Sequence, residues 1–177
     1  MVLLILTLLA LLGAQAPVPR APFVATPPDV VDRMLTLAKV GPRDVVYDLG
    51  CGDGRIVIAA AQKYGARGVG VDIDPARIAE AEENARRAGV QGRVTFRLQD
   101  ALKTDVSDAT VITLYMLSAI NVQLRPILTK DLRPGARIVS HSFAMGDWEP
   151  EYVDTFRDAA GTSRTLYLWT ADGKVRP

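Results

Sequence analysis

Three glycines at alternate positions constrain this chain more than any other feature of its sequence. They lie in the stretch DLGCGDGRI, residues 48–56, directly after the apolar run VVY. The apolar run predicts a short buried strand, and the segment RIVIAAAQKYG, residues 55–65, predicts a helix that ends at Gly65. Glycine lets the backbone turn tightly and leaves no Cβ in the way of a ligand. The stretch therefore predicts a strand, a ligand-binding turn and a helix, in that order.

Strand and helix patterns alternate along the rest of the chain. Strands are predicted at residues 44–50, 67–74, 93–100, 109–117 and 136–143, and helices at 28–40, 55–65, 75–90 and 120–132. Thr26 is predicted to cap the first helix, and Pro126 to kink or split the last one. The alternation predicts an α/β fold with a parallel sheet covered by helices on both faces, and EYVDTFRD and RTLYLWTA predict an antiparallel hairpin at its edge. A proline-rich linker over residues 17–28 precedes a single domain over residues 29–177.

The segment ahead of the linker, MVLLILTLLALLGAQA, residues 1–16, is apolar and carries no charged side chain. Two interpretations of it stay open. Ala14-Gln15-Ala16 fits the cleavage site of a signal peptide. The first basic residues, Arg20 and Arg33, follow the apolar run, which favours a membrane anchor with the domain kept in the cytoplasm.

Charge and composition narrow the classes of partner. The formal net charge is +1, whereas strong phosphate binders are usually far more basic, so nucleic acid is disfavoured. The chain has one cysteine and one histidine, which excludes a disulfide framework and argues against a Cys/His metal cluster. We therefore expect no metal site, and the charge disfavours a nucleic-acid partner without excluding it.

The glycine spacing separates two classes of ligand. Gly50, Gly52 and Gly54 follow a G-x-G-x-G pattern, one residue tighter than the G-x-G-x-x-G of dinucleotide folds. Asp48 and Asp53 place carboxylates beside this loop, where they would repel a pyrophosphate. They would favour a ligand that carries a sulfonium and an ammonium group. The combination predicts that this loop binds S-adenosylmethionine (SAM).

Two further acids stand at the ends of the next two strands. Asp72 ends the second strand, where a carboxylate can accept hydrogen bonds from both ribose hydroxyls, a contact that NAD would also suit. Asp100 ends the third strand and can accept a hydrogen bond from the adenine amino group. The order of the strands then assigns Asp48 to the methionine end of SAM, Asp72 to the ribose and Asp100 to the base.

The fourth strand supplies the candidate catalytic residues, Thr113 and Tyr115. Methyl transfer needs an aligned, uncharged nucleophile rather than a covalent residue. The Tyr115 hydroxyl can orient an incoming amine, or it can anchor the end of the strand. His141, at the end of the fifth strand, is either a base or a structural residue. Trp148 either flanks the acceptor site or packs the hairpin.

Four segments carry a resemblance to a known enzyme family: PFVATPPDVVDRML, VVYDLGCGDGRIVIAAA, TLYML with a later LRP, and VSHSFAMGDWEP. From Pro22 to its end the chain resembles class I SAM-dependent methyltransferases. Within that class it is similar to the small lysine methyltransferases whose animal members modify the ATP synthase c subunit and the adenine nucleotide translocase of mitochondria. The resemblance implies a Rossmann-like, seven-stranded, mostly parallel sheet, the SAM contacts above, and a protein substrate with a target lysine.

Other functions and the cellular location stay open at this point. One alternative is a methyltransferase that acts on a small molecule or on RNA, and another is a non-catalytic module that binds a nucleoside cofactor, or an NAD reductase. SAM is made in the cytoplasm, which favours a retained anchor and a cytoplasm-facing domain over export. An anchored domain would meet a membrane-embedded substrate at high effective concentration.

Overall fold

The protein is seen here in a computed structural model that describes residues 23–177, so the predictions for residues 1–16 and for part of the linker lie outside the described residues. The strands are β1 Val45–Leu49, β2 Arg67–Asp72, β3 Val94–Leu98, β4 Val111–Leu114, β5 Arg137–His141, β6 Tyr152–Arg157 and β7 Ser163–Thr170. They form one seven-stranded sheet in the order β3-β2-β1-β4-β5-β7-β6. Strands β1 to β5 run parallel, and β7 lies antiparallel between β5 and β6. The predicted mostly parallel sheet with a C-terminal hairpin is confirmed.

Helices cover both faces of the sheet, as predicted, but unevenly. The described α-helices are α1 Pro28–Leu37, α2 Arg55–Tyr64, α3 Pro75–Arg87 and α4 Ser118–Asp131. The first three pack on one face, around a core that includes Val30, Ile56 and Ala85. Helix α4 packs on the other face through residues such as Leu124. The imbalance arises because β3 joins β4 through only a short 3-10 helix, Ala101–Lys103.

None of the helices between residues 23 and 177 combines the length and the apolar character required to cross a bilayer.

All five parallel strands end one to three residues earlier than predicted. Strand β3 ends at Leu98 and β4 at Leu114, so Asp100 and Tyr115 lie just beyond their strands. Asp100 caps the 3-10 helix, because its Oδ1 accepts a hydrogen bond from the amide of Leu102 at 3.0 Å. Both side chains therefore lie at the carboxyl edge of the sheet.

Two local predictions that involve prolines need correction. Thr26 does not cap α1, because Pro27 holds the N-cap position and no side chain caps the helix there. The reason is that a residue before a proline disfavours the helical conformation, so Pro27 is extended, with a ψ of 147°, and the helix begins only at Pro28. Pro126 lies inside α4 without splitting it. The buried apolar side of α4 holds the helix against the sheet across this position.

Candidate active site

A cavity of about 270 Å³ opens at the carboxyl edge of the parallel strands. Five of the predicted site residues line it: Asp48, Gly50, Asp72, Asp100 and Tyr115. Ligands of open α/β sheets bind at this edge, so the structure brings these residues together where the sequence predicted. The other three predicted residues form hydrogen bonds with residues that line the cavity: Gly52 with Asp72, Gly54 with Cys51, and Thr113 with Asp48.

The glycine loop takes a left-handed backbone conformation at each predicted glycine. The φ angle is 83° at Gly50, 52° at Gly52 and 78° at Gly54. The amide of Gly50 donates to the carbonyl of Val71 at 2.8 Å, which ties the loop to β2. A Cβ on Gly54 would lie 2.7 Å from the Phe96 ring. This position therefore requires glycine both for its conformation and for space.

The carboxylate of Asp72 is held by two backbone amides. Its Oδ2 accepts from the amide of Gly52 at 2.9 Å, and its Oδ1 accepts from the amide of Asp74 at 3.0 Å. Each carboxylate oxygen keeps a second lone pair. The carboxylate is therefore fixed in direction and can still accept hydrogen bonds from two neighbouring hydroxyls.

Asp48 is the more deeply buried of two buried acids that line the cavity, with 3% of its surface exposed against 8% for Asp53. Burial raises the pKa of Asp48 to about 7; a hydrogen bond from Thr113 opposes this rise, and the charges of Asp72 and Asp53 add to it. Thr113 is fully buried and donates its hydroxyl to Oδ1 of Asp48 at 2.8 Å. A carboxyl group with this pKa is close to its titration midpoint at neutral pH. A cationic group that enters the cavity would favour its ionised form.

Residues 23–26, which belong to the first of the four segments that carry the family resemblance, form one wall of the cavity. The ring of Phe23 lies against Gly52, where a Cβ would come within 2.1 Å of it. The guanidinium of Arg77 lies over the same ring, 4.7 Å from its centroid. No local pattern could have revealed these contacts, because the residues lie far apart along the chain.

Asp53 is paired within the protein rather than left for a ligand. Its Oδ1 accepts from Nε of Arg55 at 2.9 Å. Burial alone would raise the pKa of Asp53, but the hydrogen bonds and the charge of Arg55 bring it below its ordinary value. Arg55 also donates from Nη1 to the carbonyl of Thr26 at 2.8 Å. The carboxylate of Asp53 therefore holds Arg55, and Arg55 in turn holds the segment of residues 23–26.

Three aromatic side chains meet beyond the end of β4. The ring of Tyr115 stacks on His141 with centroids 4.0 Å apart, and lies 6.1 Å from the Phe143 ring. His141 is fully buried. Burial lowers its pKa to about 4, the charge of Arg164 adds to this, and Asp158 opposes it. An imidazole of such low basicity is poorly suited to take a proton from an ammonium group, so this site does not favour His141 as a base.

Trp148 packs the C-terminal hairpin. Its ring centroid lies 5.9 Å from that of Trp169 in β7. Its carbonyl accepts a hydrogen bond from Nε1 of Trp169 at 2.8 Å. Of the two interpretations of Trp148, the packing one agrees with these contacts.

Comparison with known proteins identifies the family. Residues 48–152 match the family model described as the ANTKMT methyltransferase domain. A protein-lysine N-methyltransferase from Saccharolobus islandicus is 45% identical over 153 residues, which cover 86% of this chain and 94% of that protein. The adenine nucleotide translocase lysine N-methyltransferase of Mus musculus is 31% identical over 134 residues, which cover 76% of this chain and 58% of that protein. The matched part of this chain thus spans little more than half of the mouse relative.

Solved structures of similar proteins contain the product of the cofactor. An RNA methyltransferase from Salinibacter ruber, in complex with S-adenosyl-L-homocysteine, is 51% identical, with a TM-score of 0.81 over 86% of this chain and 97% of that chain. A SAM-dependent methyltransferase from Geobacter sulfurreducens, in complex with the same molecule, is 28% identical, with a TM-score of 0.60 over 66% of this chain and 48% of that chain. S-adenosylhomocysteine is what SAM becomes when it has lost its methyl group.

The residues of the cavity fit this cofactor. Asp48 offers a buried carboxyl group that a cation would ionise, and Asp72 offers a carboxylate fixed in direction. The cofactor is SAM, as the glycine spacing and the acids predicted, and the NAD alternative is wrong. A family model that matches residues 48–152 and a relative matched over 94% of its length lead to one conclusion: this chain belongs to the family of the ANTKMT methyltransferase domain and is a SAM-dependent methyltransferase.

Proposed function

We propose that this methyltransferase acts on the side-chain amine of a lysine in a protein substrate. The observation that carries the proposal is the 45% identity to a protein-lysine N-methyltransferase over 94% of that protein's length. The site supports it, because the ring of Tyr115 lines the cavity and the neutral ring of His141 stacks behind it. An uncharged aromatic wall suits the aliphatic stem of a lysine side chain.

A lysine must lose a proton before it can accept a methyl group. With a reference pKa of about 10.4, neutralising the amine at neutral pH costs about 4–5 kcal/mol. Apolar surroundings lower that cost, because they disfavour the charged form. SAM supplies an electrophilic methyl group next to a cationic sulfur. The contribution of this chain is to exclude water and to align the amine with that methyl group.

The contacts with the cofactor are assigned by position along the edge of the sheet. Asp48 would hold the ammonium group of the methionine moiety, Asp72 the ribose hydroxyls, and Asp100 the adenine amino group. The glycine loop would let the backbone approach the cofactor closely. All three carboxyl groups line the same cavity, which supports this assignment.

The two candidate catalytic residues receive different roles. Tyr115 lines the cavity, and we assign its hydroxyl to the orientation of the incoming amine. Thr113 is fully buried, and its hydroxyl is engaged with Asp48 at 2.8 Å. Thr113 would therefore act as a positioning residue that directs the Asp48 carboxyl group, rather than touch the acceptor.

Methyl transfer to lysine can be tested directly. The full-length protein, incubated with methyl-labelled SAM and protein from a membrane extract, is expected to yield labelled methyl-lysine after acid hydrolysis. Tyr115→Phe should lower the initial rate about tenfold or more, because it removes one hydrogen bond to the amine. The matched change Tyr64→Phe, at an exposed hydroxyl that contacts Thr36, should leave the rate unchanged. Labelled protein without methyl-lysine would refute the proposal.

RNA is the second candidate acceptor. The Salinibacter ruber protein, 51% identical to this chain, is described as an RNA methyltransferase. Against this, a formal net charge of +1 provides little of the positive charge on which phosphate binding depends. Total RNA in the same reaction separates the two acceptors. If nuclease releases the label and no methyl-lysine is found, RNA is the substrate.

We also propose a location for the enzyme. The apolar sequence of residues 1–16 and the basic residues that follow it favour an anchor that keeps the domain on the cytoplasmic side, close to a membrane-embedded substrate. The full-length chain, with an uncleaved N-terminus, is expected in the membrane fraction and to require detergent for its release. A mature chain that begins near Pro17 and is found in the periplasm would contradict this proposal.

A further inference from the structure

The turn after β5 contains a strained residue. Ser142 has a φ of 66°, a left-handed conformation that is uncommon outside glycine. The amide of Phe143 donates to the carbonyl of His141 at 2.9 Å. A hydrogen bond of this span around a residue with positive φ defines the rarer and strained form of γ-turn. Strained backbone of this kind is concentrated at functional sites.

This turn is fixed by the surrounding fold. The carbonyl of Phe143 accepts a hydrogen bond from Oγ of Ser140 at 2.6 Å and from Nδ2 of Asn121 at 3.1 Å. Ser140 and Asn121 are both fully buried. The backbone on each side of Ser142 is therefore held to β5 and to α4. These contacts stabilise the strained turn.

The consequence of the turn is the placement of two rings against Tyr115. The His141 ring lies 4.0 Å and the Phe143 ring 6.1 Å from the Tyr115 ring, centroid to centroid. Tyr115 itself lines the cofactor cavity. The ring of Tyr115 thus separates His141 from the cavity, on the side where the methyl acceptor is expected.

Both nitrogens of the His141 ring, Nδ1 and Nε2, are buried without a hydrogen-bond partner in the described structure. Buried polar groups almost always have a partner, and each exception calls for an explanation. A phenylalanine would stack on Tyr115 equally well and would leave nothing unpaired. Packing alone therefore does not explain a histidine at this position.

We propose that one ring nitrogen of His141 accepts a hydrogen bond from the amine of the acceptor lysine, next to the hydroxyl of Tyr115. This inference rests on the proposed lysine methylation. A neutral imidazole can accept an N–H and so direct the lone pair of the amine towards the methyl group. It adds no positive charge beside the sulfonium. Because Tyr115 covers His141, entry of the acceptor has to shift the Tyr115 ring.

The charges that surround His141 agree with an orienting role. Burial lowers its pKa to about 4, Arg164 adds to this from β7, and Asp158 opposes it. The ring therefore stays neutral under the conditions of methyl transfer. It is therefore not the group that takes the proton from the amine.

The first test uses the fact that His141 is the one histidine of the chain, so its imidazole nitrogens give unambiguous NMR signals in protein carrying no histidine tag. Full-length protein saturated with S-adenosylhomocysteine is titrated with Nα-acetyl-lysine methylamide and, separately, with Nα-acetyl-norleucine methylamide. We expect the lysine probe to shift one imidazole ¹⁵N signal and the norleucine probe to leave both in place. The same response to both probes, or none to either, overturns the proposal.

The second test separates function from packing. His141→Phe keeps the stacking and removes both nitrogens, so we expect the turnover rate to fall about tenfold or more while the melting temperature is unchanged or higher. Met145→Leu, a change at a fully buried residue of the same loop, is the matched control and should alter neither. His141→Gln, which keeps an acceptor atom, should lose less activity than His141→Phe. An unchanged turnover rate in a folded His141→Phe variant overturns the proposal.

The outcomes also distinguish this inference from the function on which it rests. If the wild-type protein produces no methyl-lysine, the proposed function fails, whatever the His141 variants do. If the wild-type protein produces methyl-lysine and the His141→Phe variant produces it at the same rate, only the role of His141 fails.

Discussion

Replacing Asp72 by alanine is expected to weaken the binding of S-adenosylhomocysteine about 100-fold or more. The change removes the carboxylate that we assign to two ribose hydroxyls, and hydrogen bonds to a charged group contribute about 1.5–3 kcal/mol each. It also removes the acceptor for the amides of Gly52 and Asp74, at 2.9 and 3.0 Å. The glycine loop would then lose one of the contacts that fix it beside the cavity. Calorimetric titration of both proteins measures the effect.

Two companion variants show whether the loss comes from the proposed contact. Asp72→Asn keeps the shape of the side chain but replaces one accepting oxygen by a donor, so it should bind more weakly than wild type. Asp105→Ala removes an exposed carboxylate whose Oδ1 accepts from the amide of Ser107 at 2.9 Å, and should bind as wild type does. An affinity equal to that of wild type in a well-folded Asp72→Ala variant would rule out the assigned ribose contact.

The second large effect is expected from Asp48→Asn, which should stabilise the cofactor-free fold at alkaline pH and weaken cofactor binding. Burial raises the pKa of Asp48 to about 7, above its value of about 3.9 in an unfolded chain. The folded state therefore binds a proton that the unfolded state has lost, and the stability from this group falls as the pH rises to about 7 and then levels off. Asparagine has no charge to bury and can still accept from Thr113. At about pH 8 the variant should be more stable by about 2–4 kcal/mol.

Cofactor binding should respond to pH in the opposite sense. The ammonium group that we assign to Asp48 pairs with the ionised carboxylate, so wild-type affinity should fall as the pH drops below about 7. Asp48→Asn should bind more weakly at about pH 8 and should lack this dependence. Denaturant unfolding and calorimetry between about pH 5 and pH 8 measure both effects. Parallel pH profiles for wild type and variant would show that Asp48 does not titrate in this range.

The sequence was sufficient for the parts of the site that depend on local pattern. The sequence places a glycine loop after an apolar run and acids where successive strands end. Because parallel strands bring their carboxyl ends together, the loop and the acids must meet at one edge of the sheet. This is why Asp48, Asp72 and Asp100 line one cavity as predicted. The ends of the strands were less predictable. Asp100 and Tyr115 continue an extended pattern in the sequence but lie just beyond β3 and β4.

Features that depend on distant contacts were not accessible from the sequence. The ring of Phe23 covers Gly52 because Arg77 and Arg55 hold its segment there, and no spacing rule connects these positions. The strained turn at Ser142 likewise depends on α4. A serine in the run VSHSF gives no sign that its φ will be positive.

The position of Phe23 has a consequence for the geometry of the whole enzyme. The chain enters the described domain at the rim of the cavity, not at the opposite end of the sheet. A domain of this size has a radius of gyration of about 15 Å, so entry at the far end of the sheet would separate residue 23 from the cavity by about two such lengths. If residues 1–16 are held in a membrane, as we propose, entry at the rim would place that membrane on the side of the opening. The distance that the active site could reach would then depend on the linker, and not on the width of the domain.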